Sequence, residues 1–325
     1  MTDFTSPFPV YSAAQVQDLL DYPGCIAAMR EAMANFTASG VAQPLRSISQ
    51  LGGGRLFAQM PGSLPDPEGF GAKLVSVVPD PDTGRAAHRG VVVMFEAVRG
   101  EIACIADAGE VTHIRTAAAT AMATDVLART DARRLAVFGC GAQATTHVRA
   151  LAQVRPLESV VIWGRSEDKA AALASALAAE TGLKVTAERD GRIAAAGADI
   201  ICTVTGSPSP VLLGEWVQPG THVNAVGSSY AGPVEVDTPL VLHSRYIADS
   251  RASAKAAAAE LIVAREAGEL TDNHIVAEIG EVLLGRVAGR TARDEVTFYK
   301  SLGHVVQDLA AVAYLHRRAQ ERPDQ

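Results

Sequence analysis

The sequence predicts an α/β protein built from a doubly wound parallel sheet and a second, discontinuous domain of mixed α/β type. The parallel sheet is indicated by residues 132–249, where apolar strand-like runs alternate with helical segments. The second domain is indicated by strand patterns in the N-terminal third and by a long amphipathic helix near the C-terminal end. Because no later strand follows that helix, we expect it to return to the N-terminal domain. The predicted boundaries are 126–300 for the parallel-sheet domain and 1–125 with 301–325 for the other.

The N-terminal segments carry helix signals first and strand signals afterwards. Ser12 and Gln15 form a capping-box pattern at the start of a helix. Turn residues at 52–54 and at Arg99-Gly100 separate strand-like runs and are typical of hairpins. The predicted elements are helices at 12–20, 23–37 and 111–128 and strands at 70–78, 91–97 and 101–106.

The central segments alternate between strand and helix, as a parallel sheet with helical crossovers requires. The predicted strands are 134–139, 159–164, 183–187, 199–204, 221–226 and 245–249, and the predicted helices are 143–154, 166–180 and 191–196. A final helix over 301–319 has Leu302, Val305, Val306 and Leu309 spaced for one buried face.

A glycine-rich turn joins the first of these strands to the first of these helices. Gly139 permits a tight turn, Gly141 allows the backbone to approach a pyrophosphate, and the small Ala144 allows close packing of helix on strand. The pyrophosphate would lie on the helix N-terminus, beside Ala142 and Gln143, where unpaired N–H groups favour an anion. The pattern therefore predicts a Rossmann domain that binds NAD or NADP.

The end of the second strand bears on the choice between the two nucleotides. NAD enzymes usually carry an acidic residue there, which binds the ribose 2′-OH. Here Gly164 occupies that position, and Arg165 and Ser166 follow it. A guanidinium with an adjacent hydroxyl can hold a 2′-phosphate, which favours NADP(H) over NAD(H). The alternative is that Arg165 stacks on the adenine and either nucleotide is used.

The composition argues against several classes of partner. The net charge of −7 disfavours nucleic acid and anionic membrane surfaces, and no apolar run reaches the length of a membrane span. The four cysteines are scattered without metal-ligand spacing, which suits a reducing compartment. The histidines likewise form no metal pattern. We therefore expect a cytoplasmic protein without a metal site.

Several segments, in order along most of the chain, together resemble the ornithine cyclodeaminase/μ-crystallin family. The segments are Met60-Pro61, Gly71-Ala72-Lys73, residues 113–121, residues 139–144, Asn224-Ala225-Val226-Gly227, and residues 299–303 leading into Gln307-Asp308-Leu309-Ala310. The resemblance implies a Rossmann domain and a dimer-forming domain that together act on amino or imino acids. The chain would then be a homodimer with a small imino or amino acid as substrate.

Three cations match positions of the family that handle substrate. The resemblance implies that Arg46 and Arg115 hold the substrate carboxylate, for which the guanidinium fork is suited. Lys73 would act at the reacting centre as proton donor or electrostatic anchor. Independently, Lys73 interrupts an apolar strand, where an unpaired charge would be costly. Taken singly, the three could be a solvated strand residue, an edge-strand charge and a helix-surface charge.

The chain departs from true ornithine cyclodeaminases at two carboxylates. Ser229 stands where those enzymes carry an aspartate that handles protons, and Ala58 stands where they tend to carry glutamate. Ser229 is assigned to substrate binding, since cyclic ketimine reductases of the family share a serine loop. The remaining residues expected to contact the cofactor are Thr116, Thr203, Val204, Thr205, Val226, Ser228, Ser301 and Gly303. Of these, we expect residues 203–205 on the adenosine side.

These features predict an enzyme that uses NAD(P)H to reduce an α-imino acid to the α-amino acid. The substrate could be a cyclic ketimine such as pyrroline-2-carboxylate or an acyclic imino acid. One alternative is an ornithine cyclodeaminase or an amino-acid dehydrogenase. Another is a crystallin-like protein that binds NADP without turnover.

Overall fold

A computed structural model describes residues 8–79 and 86–322. The chain divides into two compact units, which we call unit 1 (Met1–Arg115 with Val305–Gln325) and unit 2 (Thr116–His304). Unit 1 contains a mixed sheet and unit 2 a parallel sheet. The predicted α/β fold class is therefore confirmed.

The described residues form fourteen strands and eleven α-helices. The strands are β1 Val10–Tyr11, β2 Ser47–Gln50, β3 Leu56–Ser63, β4 Phe70–Pro79, β5 Ala86–Phe95, β6 Ile102–Asp107, β7 Arg134–Phe138, β8 Ser159–Trp163, β9 Lys184–Glu188, β10 Ile200–Thr203, β11 His222–Ala225, β12 Arg245–Ala248, β13 Ile275–Glu278 and β14 Thr297–Lys300. The helices are α1 Ala13–Leu19, α2 Tyr22–Ser39, α3 Ala108–Leu127, α4 Ala142–Leu151, α5 Glu167–Thr181, α6 Gly191–Ala196, α7 Thr238–His243, α8 Arg251–Ala257, α9 Ala259–Glu266, α10 Ile279–Leu283 and α11 Val305–Glu321.

Unit 1 is a six-stranded sheet in the order β1-β6-β5-β4-β3-β2. Its neighbouring strands are antiparallel except for the short parallel pair of β1 and β6. Helix α11 packs on β3, β4 and β5, and α2 packs on α11. Gly62 on β3 makes this approach possible, because a Cβ there would clash with Val305 of α11. Met60, Val92 and Met94 are buried on this face of the sheet.

Unit 2 is an eight-stranded sheet in which every neighbouring pair is parallel, in the order β13-β12-β14-β11-β10-β7-β8-β9. Phe138, Ile201, Val223, Tyr246 and Phe298 belong to its hydrophobic core. The order of the strands reverses at β7, because β8 and β9 lie on one side of this strand and β10 lies on the other. In such sheets ligands bind at the carboxyl ends of the strands beside this reversal.

Strands β13 and β14 are absent from the sequence prediction. Each has only four residues. Strand β14 is fully buried but ends on Lys300, and a charged residue is not expected in a buried strand. Lys300 is tolerated there because its Nζ donates to Glu260 Oε2 at 3.1 Å and to Ser228 O at 2.7 Å. As a result β14 separates β11 from β12, which the sequence order alone would make neighbours.

The start of the last helix also differs from the prediction. Helix α11 begins at Val305, so Ser301 and Gly303 lie in a loop instead of the predicted first turn. The buried carboxylate of Asp249 holds this loop, because Oδ2 accepts hydrogen bonds from the N–H groups of Leu302 and Gly303, both at 2.7 Å. Within the ranges 8–79 and 86–322, no helix has the length and hydropathy needed to cross a membrane.

Candidate active site

Lys73 lies at the centre of a buried polar cluster in unit 1. It projects from β4, and only 6% of its surface is exposed. Its Nζ donates to Thr112 Oγ1 on α3 at 2.6 Å and to Asp308 Oδ1 on α11 at 3.1 Å. The strand charge is therefore paired, as its cost inside an apolar environment requires.

Arg115 binds the same carboxylate from α3. Its Nε donates to Asp308 Oδ1 at 2.8 Å, and its Nη1 donates to Gln307 Oε1 at 2.9 Å. One oxygen of Asp308 thus serves two cations. The other oxygen, Oδ2, is buried and accepts no hydrogen bond from any described residue.

Arg46, which directly precedes β2, is the third cation of the cluster. Ser47 pairs with Gln59, and Met60 pairs with Lys73, so Arg46 continues the row that contains Met60 and Lys73. Its charge reaches Lys73 and contributes to the shift in the pKa of that lysine. The structure thus brings Arg46, Lys73 and Arg115 close together in unit 1.

The electrostatics of the cluster favour an anionic ligand. Burial lowers the pKa of Lys73 to about 8; Asp308 opposes this shift, whereas Arg115 and Arg46 add to it. Burial would raise the pKa of Asp308, but Arg115 and Lys73 hold it below its usual value. Lys73 and Arg115 therefore share a single carboxylate, and Arg46 adds a positive charge near Lys73. Two cations that share one carboxylate leave a net positive charge, which suits a ligand that carries a carboxylate of its own.

Asp308 and Gln307 received no role in the sequence analysis, although both lie within a segment that carries the family resemblance. The available signal was the helix pattern. Both polar residues are fully buried within an otherwise apolar stretch of α11. A carboxylate at such a position requires a partner, and an excess of nearby cations could have supplied it.

The glycine turn of unit 2 has the geometry that a pyrophosphate requires. Gly139 has φ +137°, and a Cβ there would lie 2.8 Å from Val204 Cγ2, so only glycine fits. Gly141 is the N-cap of α4 and leaves the helix end without a side-chain cap. No atom lies within 4 Å of the position that a Cβ on Gly141 would take. This open, uncapped helix N-terminus fits the phosphates of a dinucleotide.

Residues 164–166, which follow β8, lie in different environments. Arg165 is exposed. Ser166 is the N-cap of α5, and its hydroxyl accepts from the N–H of Lys169 at 3.4 Å. A Cβ on Gly164 would lie 3.0 Å from Cys140 Sγ, so an acidic side chain at this position would displace the cysteine. Arg165 is thus the side chain of this group that is available to a phosphate.

The other predicted cofactor residues lie mostly at the carboxyl ends of the parallel strands. Thr203, Val204 and Thr205 end or follow β10, whereas Val226 and Ser228 follow β11, as does Ser229, which was predicted to bind substrate. The predicted residues elsewhere are Thr116 in α3, Ala142 and Gln143 in the first turn of α4, and Ser301 and Gly303 after β14. The hydroxyl of Ser301 is buried and has no hydrogen-bond partner in the described part of the chain.

Within the described ranges, no group of three or more His, Cys, Asp or Glu side chains is placed so that it could hold a metal ion. His147 and His222 are fully buried, and burial lowers their pKa values to about 4 and about 3. His147 joins α4 to α3 through Thr120, and His222 contacts Thr297 and Asn224. Both histidines therefore hold strands and helices together as neutral rings.

The chain is similar to known reductases in sequence and in fold. The chain is 32% identical over 316 residues to a Δ1-pyrroline-2-carboxylate reductase of Bacillus cereus, covering 96% of this chain and 97% of that protein. Its fold matches the Δ1-pyrroline-2-carboxylate reductase of Thermococcus litoralis, solved with NADH and L-proline, with a TM-score of 0.92, 25% identity and 97% and 98% coverage of the two chains. It also matches the iminosuccinate reductase of Paracoccus denitrificans, solved with NAD+, with a TM-score of 0.90, 26% identity and 97% coverage of each chain. A sequence model of the ornithine cyclodeaminase/mu-crystallin family matches residues 9–323. This chain therefore belongs to the ornithine cyclodeaminase/mu-crystallin family.

Proposed function

We propose that this chain is an oxidoreductase that reduces the C=N bond of an α-imino acid with a nicotinamide cofactor. The observation that carries the proposal is the buried cluster in which Lys73 and Arg115 share one oxygen of Asp308 beside Arg46. The relatives support the same chemistry, since their names describe reductases of pyrroline-2-carboxylate and iminosuccinate. Unit 1 would bind the substrate, and unit 2 would bind the nucleotide.

The two arginines would bind the substrate carboxylate. Arg115 already directs Nε and Nη1 at Asp308 and Gln307, which fixes the plane of its guanidinium. No described residue accepts a hydrogen bond from its Nη2, so this nitrogen is available to a ligand. Arg46 would supply the second charge. Charge-assisted bonds of this kind fix the orientation of a carboxylate as well as its position.

Lys73 would provide the proton that the imine nitrogen gains. With a pKa of about 8 the side chain is mostly protonated at neutral pH and can still release a proton readily. Thr112 and Asp308 hold its Nζ in place and leave one of its three N–H groups for the substrate. A reduced nicotinamide, when bound, supplies the hydride for the imine carbon.

The loop after β11 favours reduction over cyclodeamination. Ser229 provides a hydroxyl where cyclodeaminases carry an aspartate, and a hydroxyl cannot act as the same base near neutral pH. The decisive experiment is a steady-state assay of NADPH and NADH oxidation with pyrroline-2-carboxylate, piperideine-2-carboxylate and acyclic imino acids. Oxidation with at least one of these imines is expected. Release of ammonia and proline from ornithine, with no turnover of any imine, would contradict the proposal.

We further propose that the preferred nucleotide is NADPH, held through its 2′-phosphate by Arg165. Replacing this exposed arginine by aspartate should weaken NADPH binding about tenfold to a hundredfold, because one charge-assisted contact becomes repulsive. NADH binding should change much less. Fluorescence titration with both nucleotides measures the effect. Arg286→Asp is the matched control, since Arg286 is an exposed arginine near the opposite edge of the same sheet. Equal weakening of both nucleotides by Arg165→Asp would contradict the assignment.

The sheet of unit 1 suggests that the protein is a homodimer. Side chains alternate along β4, so Phe70 and Val78 lie on the face opposite Lys73 and α11, and they are 43% and 40% exposed. Val91, opposite Leu74 on the neighbouring strand, extends this face and is 38% exposed. We propose that a second copy of the chain covers this apolar face, since exposed apolar patches of this kind commonly mark interfaces.

Val91→Glu should convert the dimer into a monomer, because the new carboxylate would lose its hydration in the contact. Sedimentation velocity measures the change. Val98→Glu is the control, since Val98 is 86% exposed in the turn between β5 and β6. A Val91→Glu protein that sediments as the wild type does would rule out this face.

A further inference from the structure

Glu235 is a buried carboxylate that the reaction outlined above does not use. Only 1% of its surface is exposed, and both of its oxygens accept hydrogen bonds from two loops of unit 2. One loop, 203–205, begins at the end of β10, and the other, 227–228, follows β11. These strands are neighbours, with Thr203 opposite Ala225, so the two loops emerge side by side at the carboxyl edge of the sheet.

Five hydrogen bonds join Glu235 to these loops. Oε1 accepts from the backbone N–H of Thr205 at 2.5 Å and from its hydroxyl at 2.7 Å. Oε2 accepts from the hydroxyl of Thr203 at 2.9 Å and from the N–H groups of Gly227 at 2.7 Å and Ser228 at 3.2 Å. Because all five partners are donors, an ionised carboxylate satisfies them. Burial raises the pKa of Glu235, whereas these donors and the charge of Lys300 oppose that rise.

The two loops approach so closely at Gly227 that no side chain would fit there. A Cβ on Gly227 would lie 2.5 Å from the backbone nitrogen of Thr205 and 2.6 Å from Glu235 Oε1. From the other side, Lys300 Nζ donates to the hydroxyl of Ser228 at 2.8 Å. The backbone at 227–228 is therefore held between two buried charges of opposite sign, and its position depends on both.

These loops border the glycine turn on the side away from Arg165. Strand β7 lies between β8, which leads to Arg165, and β10, which leads to Val204. The N–H of Val204 donates to Phe138 O at 2.9 Å, and Val204 is the residue that a Cβ on Gly139 would strike. A dinucleotide bound at this reversal has its two halves on opposite sides of β7. With the adenosine over β8, the loop 203–205 falls on the nicotinamide side.

We propose that Glu235 is a positioning residue for the nicotinamide half of the cofactor, acting through the loops 203–205 and 227–228. The proposal rests on the proposed nucleotide binding, and it moves residues 203–205 from the adenosine side, where the sequence analysis put them, to the nicotinamide side. It makes a distinct prediction, because a residue that acts on one half of a ligand should leave binding of the other half unchanged.

The test is the substitution Glu235→Gln, which keeps the shape of the side chain but turns one acceptor into a donor that faces other donors. Calorimetry would measure binding of NADPH, NADH and ADP, the last being a fragment that lacks the nicotinamide half. Affinity for the preferred dinucleotide should fall at least about tenfold, because buried donors lose their acceptor. Affinity for ADP should stay within about twofold of the wild type, a change well below one tenfold step.

A matched control is Asp237→Asn, two residues away in the same segment. Asp237 is the N-cap of α7 and accepts from the N–H groups of Gly214 and Leu240. It contacts neither loop, so both affinities should stay unchanged. If Glu235→Gln does not fold, Thr203→Val removes one of the five bonds at a fully buried position and should show the same split with a smaller loss.

Equal weakening of ADP and dinucleotide, or no weakening of either, would overturn the role of Glu235 while leaving the proposed function intact. A wild-type protein that binds neither NADPH nor NADH would overturn the proposed function, and this inference with it.

Discussion

Replacing Lys73 by methionine is expected to lower kcat by roughly 10²–10⁴-fold, the usual contribution of a positioned proton donor. Methionine matches the apolar stem of the lysine, so β4 should keep its packing while the ammonium is lost. Arg46→Ala should differ in kind. It removes a contact to the substrate carboxylate and should chiefly raise KM, with a smaller fall in kcat. Steady-state kinetics on both variants, with a melting curve for each, measures the contrast.

The pH profile gives an independent reading of the same residue. A proton donor must be protonated, so kcat/KM should be highest below the pKa of Lys73 and fall as the pH rises through about 8. The methionine variant should lack this basic limb. A Lys73→Met protein with a native melting temperature and near-native kcat would remove Lys73 from the mechanism.

The largest expected loss of stability follows from Asp308→Asn. This change leaves Lys73 and Arg115 buried without a counter-charge, and removing one partner of a buried ion pair typically costs about 3–5 kcal/mol. The free energy of unfolding, measured in urea, should fall accordingly. The pKa of Lys73 should also fall further, because in the wild type Asp308 opposes its downward shift and the variant lacks that carboxylate. The basic limb of the pH profile should therefore move to lower pH.

Asp131→Asn provides the comparison. Asp131 is half exposed and pairs with Arg129 and Arg293, so water can replace the lost contacts, and the free energy of unfolding should change far less. An Asp308→Asn protein as stable as Asp131→Asn, with an unshifted pH profile, would show that Asp308 does not stabilise the cationic cluster.

The sequence predicted those features that depend on local chemistry. The glycine turn could be predicted because Gly139 requires a positive φ and Gly141 requires open space, and both requirements are visible in a strand-turn-helix pattern. Lys73 could be identified as a candidate because an unpaired charge inside an apolar strand is costly. Ser166 shows the limit of such reasoning, since the same hydroxyl suits a phosphate or a helix N-cap, and in the structure it caps α5.

Features that depend on distant partners could not be predicted. Asp308 lies 235 residues from Lys73, and only the packing of α11 on the sheet brings them together. Strand β14 was not predicted because a lysine is usually a surface residue. The buried partners of Lys300, Glu260 and Ser228, are evident only from the structure. The five bonds of Glu235 join loops whose proximity follows from strand order, which the alternation of strands and helices does not determine.

The position of β14 and α11 along the chain has a consequence for biosynthesis. The ribosome makes the N-terminal part of unit 1 first, yet that part lacks the helix that covers its sheet until residues 305–321 have emerged. Unit 2 likewise has a gap between β11 and β12 until residues 297–300 are made. Domains commonly fold in turn as they emerge. Here neither unit can finish early, so the nascent chain exposes both incomplete sheets together, and both close only after residue 297 has been synthesised.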